Sequence, residues 1–309
     1  MTVKHLLKLS DLTAEDINEI LALADQMKFN RKHGLNHRVL PGKTLGMIFT
    51  KASTRTRVSF ETGMYQLGGH ALFLSGADMQ IGRGEPIEDT ARVLSRYLDG
   101  IMIRTFKQSD VETLAQYATI PVINGLTDYA HPCQILADLM TIRERQTALP
   151  GLKAAWIGDG NNVCNSLIVA ALTCGMKIHV ATPKGYEPDK GILERAASDK
   201  NFLLTTDPRE AAERADVVFT DVWASMGQES EAEGRRKVFD GFQINADLMA
   251  LAAKGAMVQH CLPAHRGEEI TAEVFEAHAS EIFDEAENRL HVQKAVMALL
   301  MGAEEIESF

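Results

Sequence analysis

Cysteine is scarce. Only Cys133, Cys164, Cys174 and Cys261 stand in a chain of 309 residues, and no two form a C-x-x-C pair. That spacing supports neither a disulfide scaffold nor a thiolate zinc site. Long apolar runs are missing too. The stretch Leu167 to Leu172 falls far short of the ~20 residues that cross a bilayer. Lys4, Lys8 and Asp11 interrupt the first dozen residues, so no signal-peptide core is read there, and a cytoplasmic protein with free thiols is expected. Positive charge is in deficit: 32 Lys plus Arg face 42 Asp plus Glu, a formal net charge of −10. Such a chain is a poor partner for nucleic acid, whose phosphates ask for a basic face. A small anion can still be held by a local cluster of arginines. No Walker loop and no H-E-x-x-H pattern occurs, so neither a cofactor nor a metal is expected. A dinucleotide fingerprint fails at its third glycine: Gly158-Asp159-Gly160-Asn161-Asn162 is followed by Val163.

What is present is an alternation of helical and strand patterns over nearly the whole length. At ~100–200 residues per domain the chain suggests two domains. Thr13 to Asp16 resembles a capping box, and Ile17, Ile20, Leu21, Ala24 and Met27 follow at helical spacing. Strands are read at Thr44 to Phe49, Ala71 to Leu74, Gly100 to Ile103 and Pro121 to Asn124. Helices are read from Ser53 to a Gly68-Gly69 stop, at Ile87 to Leu98 and at Val111 to Ala118. A long helix over Pro132 to Gln146 precedes the break Leu149-Pro150-Gly151. Beyond it come strands at Ala154 to Gly158, Lys177 to Ala181, Asp216 to Thr220 and Met257 to His260. Helices fall at Asn165 to Thr173, Asp189 to Ser198 and Glu285 to Met301. This rhythm predicts an α/β fold of two lobes, each a parallel sheet flanked by helices, with the active site in the cleft between them. The predicted domains are residues 1–148 and 149–285, with a C-terminal helix over 286–309 packing back on the first. The polar stretch Gln228 to Lys237 reads as mobile.

Several short motifs could carry chemistry. Ser53-Thr54-Arg55-Thr56-Arg57 follows a strand and opens a helix, where free N–H groups and the positive dipole end suit phosphate. Two arginines in a first turn oppose that dipole. The conflict makes more sense if an anion sits there, so the site reading is favoured over a solvated start with a serine cap. His131-Pro132-Cys133-Gln134 also opens a helix, with proline at a favourable first position. Taken alone, His131 is more often a cap than a catalyst. His260-Cys261-Leu262-Pro263 ends a buried strand, where a cysteine is most often a small core residue. Asp221 leaves another strand and leads to Ser225-Met226-Gly227, which alone would be an ordinary loop.

Together and in order, these motifs resemble those of the aspartate/ornithine carbamoyltransferase family. Phe49-Thr50-Lys51-Ala52 with Ser53 to Arg57 is similar to its carbamoyl-phosphate motif, and His131 to Gln134 to its H-P-x-Q. His260 to Pro263, and Asp221 with Ser225-Met226-Gly227, resemble the ornithine branch. The resemblance runs over essentially the full length. It implies transfer of the carbamoyl group of carbamoyl phosphate to the δ-amine of L-ornithine, giving L-citrulline and phosphate. The route it implies passes through a tetrahedral intermediate, without metal or covalent adduct, within arginine biosynthesis. By resemblance, Ser53, Thr54, Arg55 and Thr56 hold phosphate, and Gln80 reaches it from its own or a neighbouring subunit. Arg104 binds phosphate and the carbonyl oxygen, which His131 and Thr56 also contact. Gln134, the Cys261-Leu262 backbone and Arg289 surround the carbamoyl nitrogen. Asn162, Asp221, Ser225 and Met226 take ornithine. Arg104, His131, Cys261 and Asp221 form the catalytic set, and the assembly is expected to be a homotrimer or a multiple of trimers. The amine proton could pass to the leaving phosphate, Asp221 or Cys261.

Rival readings are a carbamoyltransferase for aspartate, putrescine or an acylated ornithine, a non-catalytic amino-acid-binding paralogue, and a nicotinamide oxidoreductase. The aspartate branch has a lysine in the loop that holds Gln80 here. A binding paralogue would be expected to have lost one of Arg55, Arg104 and Arg289. The segment after Asp221 is expected to be open without ligand and to close over ornithine once carbamoyl phosphate has bound.

Overall fold

The computed structural model describes residues 2–224 and 231–302. The chain divides into two compact units, Met1–Met140 with Glu287–Phe309, and Thr141–Ala286.

The first unit begins with α1 (Ala14–Lys32). Thr13 accepts a hydrogen bond from the Asp16 amide at 3.1 Å, and Asp16 accepts one from the Thr13 amide at 3.1 Å, completing the capping box. A cap of this kind contributes about 1 kcal/mol. There follow β1 (Thr44–Phe49), α2 (Thr54–Gln66), β2 (His70–Ser75), α3 (Ile87–Leu94), β3 (Gly100–Arg104), α4 (Gln108–Tyr117), β4 (Val122–Leu126) and α5 (Pro132–Gln146). The sheet is parallel, in the order β2-β1-β3-β4. Strands β3 and β4 are buried at every position, as parallel strands covered on both faces must be. Ile48, Ile101, Ile103 and Val122 pack against Val111 and Leu114 of α4.

The second unit contains β5 (Lys153–Ile157), α6 (Asn162–Thr173), β6 (Lys177–Ala181), α7 (Lys190–Ala196), β7 (Phe202–Thr205), α8 (Pro208–Ala212), β8 (Val217–Thr220), α9 (Ala232–Val238), α10 (Ala246–Met249), β9 (Met257–His260) and α11 (Ala272–Ala277). Its sheet is also parallel, in the order β7-β6-β5-β8-β9. The final helix, α12 (Ala279–Met301), begins in this unit and ends in the first, so the chain passes between the units inside α5 and again inside α12.

The α/β architecture of two helix-flanked parallel sheets is the one the sequence predicts. Several details differ. Helix α3 stops at Leu94, four residues short of the expected end, because the chain turns there to feed β3. Helix α6 starts at Asn162 rather than Asn165, because the Asn161 side chain accepts from the amides of Val163 and Cys164 and caps it. Strand β7 and the short helices α8 to α11 carry too little periodicity to be read in advance. The stretch expected to be mobile is helical over its second half, in α9, and its first three residues lie outside the described ones.

Candidate active site

In each unit the motifs collect where parallel strands end and helices begin, which is where open α/β sheets place ligands.

In the first unit, β1 and β3 end side by side, with Phe49 in register with Arg104. Ser53 caps α2 and accepts from the Thr56 amide at 3.2 Å. The buried Thr56 hydroxyl is the meeting point of the cluster. It accepts from Arg289 Nη2 at 3.2 Å, from Arg104 Nη1 at 3.5 Å and from Ser53 Oγ at 3.2 Å. Arg289 Nη1 also donates to Gln134 Oε1 at 2.7 Å, and Gln134 Nε2 donates to Asp138 at 2.7 Å. Residues from α2, β3, α5 and α12 are thereby tied into one network. Arg55 and Thr54 are exposed at the helix start. His131 is buried. Desolvation, together with Arg289, Arg104, Arg55 and Lys51, holds its pKa well below the usual imidazole range, so the ring is neutral at pH 7.

Two residues of the first unit stand apart from the Thr56 cluster. Arg57, read as a second anion donor of the same helix turn, pairs with Glu61 at 3.0 Å and stacks 3.8 Å over the Phe73 ring. One helix turn cannot point both side chains at one ligand, and Glu61 lies one turn along on the same face as Arg57. Gln80 occupies an exposed single turn, Gln80–Arg83, after the edge strand β2, and no hydrogen bond joins it to the Thr56 cluster. Lys51, whose site role the sequence left unassigned, is buried, pairs with Asp128 at 3.0 Å and lies 5.2 Å from the Phe106 ring. Cys133 is inert: burial pushes its thiol up to about 12.

In the second unit the ends of β5, β8 and β9 meet. Asp221 is buried and held by donors that carry no charge: Asn161 Nδ2 at 2.7 Å, the Val222 amide at 2.8 Å and Cys261 Sγ at 3.2 Å. Asn161, absent from the expected set, both caps α6 and orients this carboxylate. Asn162 is buried in the first turn of α6. Gly160 lies so close to the backbone of residues 186–188 that a Cβ would clash, and its amide donates to the Tyr186 carbonyl at 2.8 Å. Asp159 pairs with Arg235 at 3.0 Å. Burial outweighs that pairing and pushes the carboxyl up to about 6.

His260 and Glu269 are fully buried and 3.0 Å apart. The Leu262 amide donates to His260 Nδ1 at 2.9 Å, which leaves the ring proton on Nε2, facing Glu269. His260 therefore fixes the turn that carries Cys261 and Leu262. Asp221, His260 and Cys261 could place ligand atoms within 4.8 Å of one another. Both His260 nitrogens are already engaged, so the trio is better described as a hydrogen-bonded support than as a metal site. The expected ornithine residues Ser225 and Met226, with Gly227 and the middle of the segment expected to close, lie outside the described residues.

A cationic strand-end cluster stands in the first unit and a carboxylate–thiol cluster in the second. Family models match both units. "Aspartate/ornithine carbamoyltransferase, carbamoyl-P binding domain" matches residues 4–144, and "Aspartate/ornithine carbamoyltransferase, Asp/Orn binding domain" matches 150–300. The chain belongs to the aspartate/ornithine carbamoyltransferase family. Within it, the chain is 58% identical to the ornithine carbamoyltransferase of Carboxydothermus hydrogenoformans, over 97% of this chain and 98% of that one. It is 56% identical to the anabolic ornithine carbamoyltransferase of Pyrococcus furiosus, over 97% of this chain and 96% of that one. The solved ornithine carbamoyltransferase structure from Pyrococcus furiosus superposes with a TM-score of 0.91 at 55% identity, covering 96% of this chain and 97% of that one.

Proposed function

We propose that this chain transfers the carbamoyl group of carbamoyl phosphate to the δ-amine of L-ornithine, giving L-citrulline and phosphate, in arginine biosynthesis. The observation that carries the reading is the convergence of Arg104, Arg289 and Ser53 on Thr56 at a capped helix start, an arrangement suited to a phosphorylated carbonyl compound.

In this reading Ser53, Thr54, Arg55 and Thr56 bind the phosphate at the N-terminus of α2, and Gln80 adds a contact from its own or a neighbouring subunit. Arg104, neutral His131 and Thr56 stabilise the oxyanion as the carbonyl carbon becomes tetrahedral. A neutral histidine fits this role: it donates a hydrogen bond without adding another full charge to a cationic site. Gln134, Arg289 and the Cys261-Leu262 backbone receive the carbamoyl amide. Asp221 pairs with the ornithine α-ammonium, and Asn162, Ser225 and Met226 complete acceptor binding. The neutral δ-amine forms the new C–N bond. The C–O bond to phosphate then breaks, its electron pair leaves with phosphate, and the amine proton passes to the phosphate or to the Asp221–Cys261 pair. Holding both substrates removes much of the entropic cost of their encounter.

The working unit is a homotrimer or a multiple of it, in the cytoplasm. Among the described residues no helix is long and apolar enough to cross a membrane. Citrulline formation from carbamoyl phosphate, assayed in parallel with ornithine, aspartate and putrescine, tests the reading. Turnover with ornithine alone supports it. Preference for either other amine, or no turnover, overturns it.

A further inference from the structure

Arg235 is a buried guanidinium whose contacts no part of the proposed reaction uses. It sits in α9, 7% exposed. Its Nη1 donates to Asp159 Oδ2 at 3.0 Å and to the Trp223 carbonyl at 2.8 Å, and its Nε donates to Glu231 at 3.1 Å. The Tyr186 ring lies 4.9 Å from the guanidinium carbon, and Trp223 stacks on Phe239 with centroids 5.7 Å apart.

These contacts join three places in the chain. Asp159 stands just past the end of β5, and its own carbonyl accepts from Trp156 Nε1 at 2.9 Å. Trp223 stands two residues after Asp221. Glu231 and Arg235 stand on the far side of residues 225–230. One side chain thus fixes the backbone just after Asp221 and the chain where it resumes. Asn161 and Cys261 hold the Asp221 carboxylate itself.

We infer that Arg235, through Asp159 and the Trp223 carbonyl, is a positioning residue for the amine acceptor: it sets the place of Asp221 and of the chain on either side of residues 225–230. The inference rests on the acceptor reading of Asp221 above. Lysine cannot replace the fork, because a single ammonium does not present two planar N–H directions to a carboxylate, a carbonyl and Glu231 at once. The clasp also separates two neighbouring carboxylates by role. Asp159 is charge-paired and structural, while Asp221 is held by neutral donors and is left to the ammonium of the acceptor.

The groups that face Asp159 are Arg235 and Glu231 from the α9 side, Asp221 past β8, and Cys164 from α6. Asp159 ionises at about 6, so the clasp is a full ion pair above that pH and loses the carboxylate charge below it.

The test uses the full chain with Asp159→Asn and Arg235→Lys. The expected result is a rise of about tenfold or more in the ornithine KM of both variants, the effect of losing one buried charge-assisted contact. The carbamoyl-phosphate affinity, read by calorimetry, should be unchanged. The affinity of the wild type for an ornithine analogue lacking the δ-amine, with carbamoyl phosphate present, should weaken below about pH 6. That inflection should vanish in Asp159→Asn. An unchanged ornithine KM in both variants overturns the inference. So does an equal loss for both substrates with a collapsed melting temperature, which would make the clasp merely structural. Absence of citrulline formation in the wild type refutes the proposed reaction instead. The clasp is then judged by hydrogen exchange: faster exchange at residues 222–224 in Arg235→Lys retains it as a backbone anchor, and unchanged exchange removes it.

Discussion

The two strand-end clusters handle charge in opposite ways. In the first unit, cationic side chains from β3 and α12 gather around a neutral hydroxyl and a neutral amide, Thr56 and Gln134. In the second, two carboxylates stand near each other, and among the described residues only Asp159 of the two has a guanidinium partner. Asp221 is held by an amide nitrogen, a backbone N–H and a thiol, among the described residues. Neutral donors fix its direction without cancelling its charge. A charge positioned by neutral groups is available to a ligand, whereas a charge positioned by its opposite is part of the scaffold. Lys51 with Asp128 and Arg57 with Glu61 show the scaffold case in the first unit.

Breaking the cationic side should have the largest effect. Arg104→Ala removes a guanidinium from the Thr56 hydroxyl, and citrulline formation should fall by about a hundredfold or more in steady-state kinetics. A loss under threefold would mean that the cluster does not meet the developing charge. Breaking the acidic side should be more selective. Asp221→Asn should weaken ornithine binding by about tenfold or more while leaving carbamoyl phosphate, followed by calorimetry, unchanged. A matching loss for carbamoyl phosphate would place Asp221 with the scaffold charges.

Ser53→Ala sharpens the comparison at a smaller scale. Loss of the α2 cap should lower stability by about 1 kcal/mol, read as a shift in the denaturant midpoint, and should raise the carbamoyl-phosphate KM but not that of ornithine.

The smallest expected effect is on acid stability, and its sign differs between the units. Burial, with Lys294 and Lys28 nearby, pushes His291 in α12 down to about 3. A histidine depressed in this way contributes stability that is complete above its ordinary value of 6.5 and is lost as pH falls toward 3. Asp159 is raised, from 3.8 to about 6, so its contribution is complete below 3.8 and is lost as pH rises through 6. Between pH 6.5 and 4, amide protection should therefore decline in the first unit before the second. Hydrogen exchange resolved by peptide checks the order, and simultaneous loss would show that other groups dominate.

Long periodic elements were legible in the sequence. Helix α5 and strand β6 fall at the expected residues because turn chemistry bounds each: Pro132 opens α5, and Gly175 lies just before β6. The features that escaped depend on contacts distant in sequence. Asp159 read as part of a failed glycine motif, and its partner Arg235 lies 76 residues away, in a segment read as mobile. Asn161 passed unnoticed because an asparagine before a helix is common, and its second bond, to Asp221 60 residues on, has no local signature. Arg57 misled for the opposite reason: its neighbourhood in sequence suggested phosphate, but Glu61 and Phe73 claim it. The motif residues Thr56, Gln134 and Arg289 were marked by resemblance. That one hydroxyl joins two guanidiniums became visible only in three dimensions.

The passage of the chain through α5 and back through α12 has a consequence for how the protein is made. The second unit is one uninterrupted stretch, Thr141–Ala286, while the first waits for Glu287 and the rest of α12. Synthesis runs from the N-terminus, and domains tend to fold as they emerge. The later-encoded sheet can therefore be finished while the earlier one still lacks Arg289, so a nascent chain acquires its carboxylate cluster before its anion cluster is complete. A polypeptide released early, before residue 287, would keep the Asp221–Cys261–Asn161 arrangement intact and leave Thr56 without one of its two guanidiniums. Such a fragment would be folded in its second half and unable to complete the site in its first.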